Sequence, residues 1–370
     1  MKTERELSSI IALGMVPAIG DINAGKLISH LGSASEVFNT PYHKLILIPG
    51  IGKTIASHLS SNTFKEKAAA ELEYTGKHNI SIICYDDREY PARLKECPDA
   101  PLVIYCKGNA NLNSEKIISI VGTRNITGKG KDICRSLIKE LAAEYPELII
   151  VSGLAYGVDI TAHKAALKEG LKTIAVLGHG FKTIYPSVHL PVAKEILAQG
   201  SLITDFPSYE KPERNNFLKR NRIIAGISDA TIVIESGRKG GAMVTADIAM
   251  SYNREVLAVP GSPGEQYSEG CNMLIKSNKA ALAESAADIC YNLNWPRKGR
   301  ENKQKKLFAD NLSMLEEKIF ELFSENTEMS AEQISSSMKK PVHHLSSALL
   351  KLEFSGLISS LPGNIYRKNI

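Results

Sequence analysis

Residues 117–178 read IISIVGTRNITGKGKDICRSLIKELAAEYPELIIVSGLAYGVDITAHKAALKEGLKTIAVLG. This stretch carries the pattern from which the fold is predicted. Apolar runs at 117–122, 148–152 and 172–178 are separated by two segments with helical spacing. Strands that are apolar at nearly every position are typical of a parallel sheet covered on both faces. Helices between such strands provide the crossover connections that parallel pairing requires. The stretch therefore predicts consecutive β-α-β units.

The same alternation continues on both sides of this stretch. Further strand-like runs occur at 81–85, 202–206, 230–236 and 255–261, and most are separated by segments with helical spacing. This pattern predicts an α/β domain over residues 79–295, with a Rossmann-like, doubly wound and mostly parallel sheet. Ligands of such folds bind at the carboxyl ends of the strands, where the strand order reverses. We therefore look for the functional residues in the loops that follow the strands.

Residues 1–78 contain short helical segments broken by glycine turns. The turns at 17–20 and 49–52 share a Pro-x-Ile-Gly sequence between apolar segments. Such a pair predicts a helix-hairpin-helix (SAM-like) domain. In these hairpins glycine lets backbone N–H groups face a phosphate at a helix N-terminus. Turns that serve packing alone fit the sequence equally well.

Residues 296–308 are basic and polar and are predicted to form a linker. The run PRKGRENKQKK at 296–306 holds six basic residues and one acidic residue, which equals the net charge of +5 for the whole chain. The remainder is neutral overall. A nucleic-acid surface elsewhere in the chain must therefore come from local clustering of cations.

Residues 309–370 contain three segments with helical spacing and a short hairpin-like run, which predicts a winged-helix domain. Its third helix, about 341–354, is in the position of a recognition helix. Lys351 is the only lysine or arginine of that helix, and Glu353 lies two residues away. Binding of a protein partner or a structural role fits this helix at least as well as binding of duplex DNA.

No run of 18 or more apolar residues is present to span a bilayer, and the N-terminus MKTERELSSI lacks the apolar core of a secretory signal. We therefore expect a cytoplasmic protein without a membrane partner. The six cysteines include no Cys-x-x-Cys pair, so neither a zinc site nor a disulfide framework is predicted. Buried thiols are the expected alternative.

Loops after several predicted strands combine glycine with hydroxyl and basic side chains. Glycine exposes backbone N–H groups to a phosphate without an obstructing Cβ. Several such loops along one sheet edge favour a phosphate-lined crevice over tight turns alone. The candidate residues in these loops are Gly122, Thr123, Arg124, Ser152, Gly153, Lys182, Lys239, Gly240, Gly241 and Thr245.

The known nucleotide-binding fingerprints are absent from these loops. The dinucleotide pattern requires glycine at the position of Thr183. A P-loop requires a hydroxyl residue at the position of Gly130, and the near match at 52–54 lacks its upstream glycine because Leu47 stands there. No cofactor and no ATPase activity are therefore expected.

Asp159 and His163 lie four residues apart on a predicted helix and resemble an acid/base pair or two metal ligands. No third ligand is visible nearby, and one His with one Asp does not hold a metal well. We therefore expect hydrogen bonding that orients the helix, and no metal site.

The segment KPERNNFLKRNR at 211–222 combines five basic residues with one acidic residue and Phe217. Cations that contact the backbone and an aromatic face that stacks on a base are the features of single-stranded nucleic-acid sites. The alternative is a solvated helix start with Phe217 in the core. The candidate residues of this segment are Phe217, Lys219, Arg220, Asn221 and Arg222.

Seven motifs in order resemble the DprA (Smf) family between about residues 80 and 280. They are VGTRNITGKG, SGLAYGVDITAH, GHGFKTIYP, GSLITDFP, FLKRNRIIAGIS, GGAMVTADIA and AVPG. The resemblance implies a Rossmann-like core that binds single-stranded DNA without turnover, forms a homodimer and loads RecA during natural transformation.

The resemblance also assigns roles to individual residues. It implies that Arg124 and the run 219–222 line the DNA pocket. Glycines at 122, 153, 240 and 241 are implied to bring the backbone close to phosphates. The chain departs from the family at Lys182, where an acidic residue is usual, and at His189, where Asn is usual.

Two other functions remain as alternatives. Related Rossmann-like folds include nucleoside-monophosphate phosphoribohydrolases similar to the LOG proteins, whose PGGxGTxxE loop ends in a catalytic Glu. The comparable run, 239–247, is longer and ends in Asp247. The other alternative is a double-stranded DNA binder that acts through the winged helix.

Overall fold

The computed structural model describes residues 2–17, 19–61, 63–296, 312–324, 328–355, 357–361 and 363–368. The chain forms two compact units, Met1–Trp295 and Pro296–Ile370. The helical region at 1–78 and the α/β region at 79–295 therefore belong to one unit, and a domain boundary between them stays a prediction. The predicted linker at 296–308 lies outside the described residues except for Pro296.

The described residues of the N-terminal region form helices that precede the first strand. They are α1 (Glu4–Met15), α2 (Gly20–Leu31), α3 (Ala34–Asn39), α4 (Tyr42–Leu45), α5 (Lys53–Leu59) and α6 (Thr63–Lys77). Gly20 of the first predicted turn begins α2, and Gly52 of the second directly precedes α5. Gly20 has φ +62° and Gly50 has φ +89°, values that favour glycine because they crowd a Cβ.

The described residues place nine strands in one mixed sheet. They are β1 (Ser81–Cys84), β2 (Val103–Gly108), β3 (Ile117–Val121), β4 (Ile149–Ser152), β5 (Thr173–Val176), β6 (Ser201–Thr204), β7 (Ala230–Val233), β8 (Glu255–Ala258) and β9 (Ala281–Leu282). Their order is β1-β2-β6-β5-β4-β3-β7-β8-β9. Pairing is parallel from β6 to β9 and antiparallel at β1 and β2. The predicted Rossmann-like α/β fold is confirmed, with β2 and β9 as strands that the sequence analysis did not predict.

Helices cover both faces of this sheet. They are α7 (Ala92–Lys95), α8 (Gly128–Glu144), α9 (Val158–Lys168), α10 (Leu190–Gln199), α11 (Arg214–Gly226), α12 (Gly241–Ser251), α13 (Glu269–Lys276) and α14 (Ala286–Asn292), with a 3-10 turn at Ser187–His189. Alternate residues of β3 enter different cores, because successive strand side chains point to opposite faces. Ile117 packs in the core formed with α11 to α13, and Ile118 packs in the core formed with α8, α9 and α14.

The strand order reverses beside β3, which has β4 on one side and β7 on the other. Loops that leave the carboxyl ends of β3 and β7 therefore run in opposite directions and leave a crevice between them. The candidate loops after residues 121 and 233 flank this crevice.

The C-terminal unit has the predicted winged-helix fold. Its described elements are α15 (Met314–Glu321), a 3-10 turn at Leu322–Ser324, β10 (Glu328–Ser330), α16 (Ala331–Met338), α17 (Val342–Phe354), β11 (Ile358–Leu361) and β12 (Ile365–Lys368). The three strands pair in the order β10-β12-β11. Lys351 of α17 lies 3.5 Å from the carboxylate of Glu316. The only lysine of this helix therefore has an acidic neighbour within its own unit.

All six cysteines are buried thiols. Burial raises the pKa of Cys84 and of Cys134 to about 12, so both are protonated and unreactive near neutral pH. Within the described part of the chain, no helix combines the length and apolar character needed to cross a membrane.

Candidate functional site

A cleft of about 850 Å³ lies at the sheet edge where the strand order reverses. Its walls are the loop after β3, the loop between β7 and α12, and one face of α11. Ten of the candidate residues line this cleft, which we call the switch cleft. They are Gly122, Thr123, Arg124, Phe217, Arg220, Asn221, Lys239, Gly240, Gly241 and Thr245.

The loop that carries Arg124 is held by backbone hydrogen bonds to its neighbours. The Thr123 N–H donates to the Glu235 carbonyl at 2.7 Å, and the Val158 N–H donates to the Thr123 carbonyl at 3.1 Å. Thr127 donates its N–H and its hydroxyl to the Glu235 carboxylate. These bonds join the loops after β3, β4 and β7, so the backbone next to Arg124 is held in place without a ligand.

Arg220 is the deepest cation of the switch cleft and is only 4% exposed. Its Nη1 donates to the carbonyls of Gly153 at 2.7 Å and Val176 at 2.5 Å. Its Nε is buried and has no hydrogen-bond partner among the described residues. Burial lowers the pKa of Arg220 to about 10, so the guanidinium stays charged at neutral pH. A charged guanidinium at the wall of a cleft favours binding of an anion such as phosphate.

Ser152 and Gly153 do not line the cleft, and Gly153 accepts a hydrogen bond from Arg220. The buried Ser152 hydroxyl donates to the Ile120 carbonyl at 2.7 Å. A Cβ on Gly153 would lie 2.0 Å from Arg220 Nη1. Glycine at this position therefore makes room for the arginine. The open position at the cleft is Gly241, where an added Cβ would meet no atom within 4 Å.

Phe217 is half-buried at the mouth of the switch cleft. The centroid of its ring lies 5.6 Å from the ring centroid of Tyr185. The guanidinium carbon of Arg124 lies 5.7 Å from the same Phe217 centroid. Tyr185 is 46% exposed. The two rings and the guanidinium plane together offer flat surfaces on which a nucleic-acid base can stack.

Three other candidate cations lie outside the switch cleft. Arg222 bonds to Asp21 at 2.8 Å, to Asp205 at 2.6 Å and to the Asp99 carbonyl. Lys219 is exposed on the opposite side of α11. Lys182 is exposed, with its Nζ 5.4 Å from the ring centroid of Tyr74.

Residues 81–294 match the protein family described as DNA recombination-mediator protein A, and residues 305–364 match the DprA winged helix domain. The chain belongs to this family.

Several proteins of the family are similar to the chain over most of their own length. The DNA processing protein DprA of Bacillus subtilis is 39% identical over 227 residues, which is 61% of this chain and 75% of that protein. The solved structure of DprA from Streptococcus pneumoniae has a TM-score of 0.63 at 27% identity and covers 79% of this chain and 98% of that one. The DprA structure from Helicobacter pylori, described for its single-stranded DNA binding mode, has a TM-score of 0.53 at 28% identity and covers 59% and 97%.

His189, where the sequence analysis expects a departure from the DprA family, has a clear structural setting. Its Nδ1 hydrogen-bonds the Leu154 carbonyl at 2.7 Å, and its ring packs edge-on against Tyr156. Leu154 has φ +57°, which is costly for a non-glycine residue. The histidine therefore helps to hold the strained turn after β4.

Asp159, which lines the cleft, and His163, which does not, make separate hydrogen bonds. Asp159 accepts from the Ala155 N–H at 3.3 Å, and His163 Nδ1 pairs with the Thr173 hydroxyl at 2.7 Å. Burial raises the pKa of Asp159, which the nearby Arg220 partly opposes. Burial lowers the pKa of His163 to about 3, so its ring is neutral. No group of three metal-ligating side chains occurs in the described residues.

Several cleft residues were not predicted from the sequence. Arg214 lies three and seven residues before Phe217 and Asn221, so the helical period indicates that all three share one face. Arg238, in contrast, belongs to a loop that the sequence analysis marked as basic, and it lies 3.2 Å from Glu269 in an exposed ion pair. Tyr267 reaches the cleft from the loop after β8, and no sequence pattern indicates it.

The run that was compared with the LOG loop does not bring its acid to the cleft. Asp247 is more than half exposed, lies 3.1 Å from Lys279 and is not among the residues that line the cleft. The acids that line it are Asp159, which is buried, and Glu269, which pairs with Arg238.

Proposed function

We propose that this chain binds single-stranded DNA in the switch cleft, without sequence specificity and without turnover. The observation that carries the proposal is a cleft that brings the buried guanidinium of Arg220 together with exposed cations and the ring of Phe217. Phosphates pair with the cations, and bases stack on Phe217 and Tyr185.

The remaining cleft residues fit this role by their position. Arg124, Arg214 and Lys239 are exposed, and none has a carboxylate within ion-pair distance among the described residues. Gly240 and Gly241 begin α12, where N–H groups without an intrahelical partner favour an anion. Contacts to phosphates and stacking on aromatic rings are nearly independent of base identity, which agrees with binding that lacks sequence specificity.

We expect single strands to bind more tightly than duplex DNA of the same sequence. The bases of a duplex are stacked on each other and are closed to Phe217 and Tyr185, whereas phosphate contacts alone give weaker, nonspecific binding. Fluorescence anisotropy of one labelled oligonucleotide, with and without its complement at moderate salt, measures the difference. Equal affinity for both forms would exclude the aromatic platform as part of the site.

We further propose that the protein is a cytoplasmic homodimer that loads RecA onto the bound strand for homologous recombination in natural transformation. The support is membership of the recombination-mediator family. We expect the protein to shorten the lag of filament assembly when RecA of the same organism is added to strands covered by single-strand-binding protein. An unchanged lag, with strand binding intact, would remove the loading role and leave the binding role.

A further inference from the structure

A second cavity, of about 540 Å³, lies where the N-terminal helices meet the α/β region. We call it the junction cavity. Its walls come from the end of α1 and the start of α2, from β2, from the loop after β6 and from α11. Its volume falls within the range of small-molecule sites. None of the residues of the switch cleft lines it.

The helix α11 separates the two cavities. At 100° per residue, Arg214, Phe217 and Asn221 share one side, and Asn216, Lys219 and Arg222 lie on the opposite side. The former line the switch cleft and the latter line the junction cavity. A helix with its side chains is about 10–12 Å across. A single strand that leaves the switch cleft around the first turn of α11 therefore reaches the junction cavity after a short path.

The rim of the junction cavity carries an aromatic ring and a free cation. Tyr209 is 41% exposed. Lys219 is exposed and has no carboxylate within ion-pair distance in the described part of the chain. The inner walls include the apolar side chains of Met15, Val16 and Phe206. An exposed ring beside a lysine, over an apolar wall, is a suitable site for one stacked base and its phosphate.

The charges inside the junction cavity favour a base over a phosphate. Asp21, Asp205 and Glu210 line it together with Arg222, so carboxylates outnumber cations behind the rim. Asp205 is only 8% exposed in its side chain, and its Oδ1 is buried without a hydrogen-bond donor among the described residues. A neutral ring that bears an amino group supplies a donor to carboxylates, as cytosine does through its exocyclic amine.

We propose that a single strand bound in the switch cleft continues around α11 and places one amino-bearing base in the junction cavity, stacked on Tyr209 with its phosphate at Lys219. This inference rests on the proposed function, because the strand is delivered by the switch cleft. In this proposal the N-terminal helical region takes part in DNA binding, because α1 and α2 form part of the wall of the junction cavity.

The test compares two lengths of oligodeoxycytidine, about 4 and about 20 nucleotides, one at the lower end of the common site sizes for single-strand binders and one above their upper end. The variant Tyr209→Ala with Lys219→Ala is expected to lose about fivefold or more in affinity for the long strand, which is the loss expected for one stacked base. Its affinity for the short strand, which fills the switch cleft alone, is expected to stay unchanged. The matched control is Tyr291→Ala with Lys168→Ala, two exposed residues that line neither cavity.

The outcomes separate this inference from the proposed function. If the unmodified protein binds neither length, the proposed function fails. The other outcomes apply when the unmodified protein binds both strands and the double variant keeps its melting temperature. If the double variant then loses affinity for both strands equally, or for neither strand, the junction cavity takes no base. As an independent readout, a strand with a 5-iodocytidine near one end is expected to photocrosslink to Tyr209, and crosslinks confined to the switch cleft would overturn the proposal.

Discussion

Replacing Arg124, Arg214 and Lys239 together by Ala is expected to flatten the slope of log K against log salt by up to about 2. Each cation that contacts a phosphate of a single strand contributes about 0.7 to that slope through release of counterions. All three side chains are exposed around the switch cleft. Affinity is therefore expected to fall strongly at low salt, whereas the melting temperature is expected to stay close to that of the unmodified protein.

The matched control for this variant replaces Lys164, Lys168 and Lys172, which are exposed and lie outside the cleft. The control removes the same net charge, so a purely long-range effect of charge would alter both variants equally. A normal slope in the cleft variant, with its fold intact, would place the bound strand on another surface. Anisotropy titrations at four or more salt concentrations give both slopes.

Replacing Arg222 by Ala is expected to lower the free energy of unfolding by about 3–5 kcal/mol, the usual cost of leaving a buried charge without its partner. Arg222 lies between Asp21 and Asp205, and its side chain is only 16% exposed. Burial alone lowers the pKa of Arg222, but the two carboxylates together raise it, so the guanidinium is charged at any pH of interest. Urea unfolding followed by circular dichroism measures the loss.

The free energy of unfolding that Arg222→Ala loses is expected to depend on pH. Burial raises the pKa of Asp205, and Arg222 opposes that rise. Without Arg222 the pKa of Asp205 rises further in the folded protein. An acid whose pKa is raised on folding stabilises the fold when it is protonated, and this contribution disappears as the pH rises through the folded-state pKa. The deficit relative to the unmodified protein is therefore expected to be smaller near pH 5 than near pH 8.

A second substitution identifies the carboxylate responsible. Adding Asp205→Asn to Arg222→Ala removes the unmatched charge, so part of the lost stability is expected to return near pH 8 and the pH dependence is expected to weaken. Arg222→Ala could instead lose the same free energy of unfolding at both pH values, with no stability regained in the double variant. That result would show that Asp205 is not the group left without a cationic partner.

Local pattern was sufficient for much of the fold. The apolar runs of β3, β4, β5, β7 and β8 are buried at most positions on both sheet faces, so burial imposes a continuous apolar sequence that is easily recognised. The short β9 has only two residues, which is too short to show a period. The strand β2 was missed because no long helix precedes or follows it: only the four-residue α7 lies between β1 and β2, and residues 109–116 form no helix.

The amino-acid sequence was enough to predict a doubly wound fold that contains glycine-rich loops and a cationic segment with an aromatic residue. Which of those cations share a site depends on how the chain is packed. Lys219, Arg220 and Arg222 are neighbours in sequence, yet helical geometry turns each by 100° from the residue before it. The elements packed on each side of α11 then decide their roles, since the carbonyls of Gly153 and Val176 hold Arg220 at the switch cleft. Arg222 is bound by Asp21, a residue 201 positions away, and no local pattern encodes a pairing over that distance.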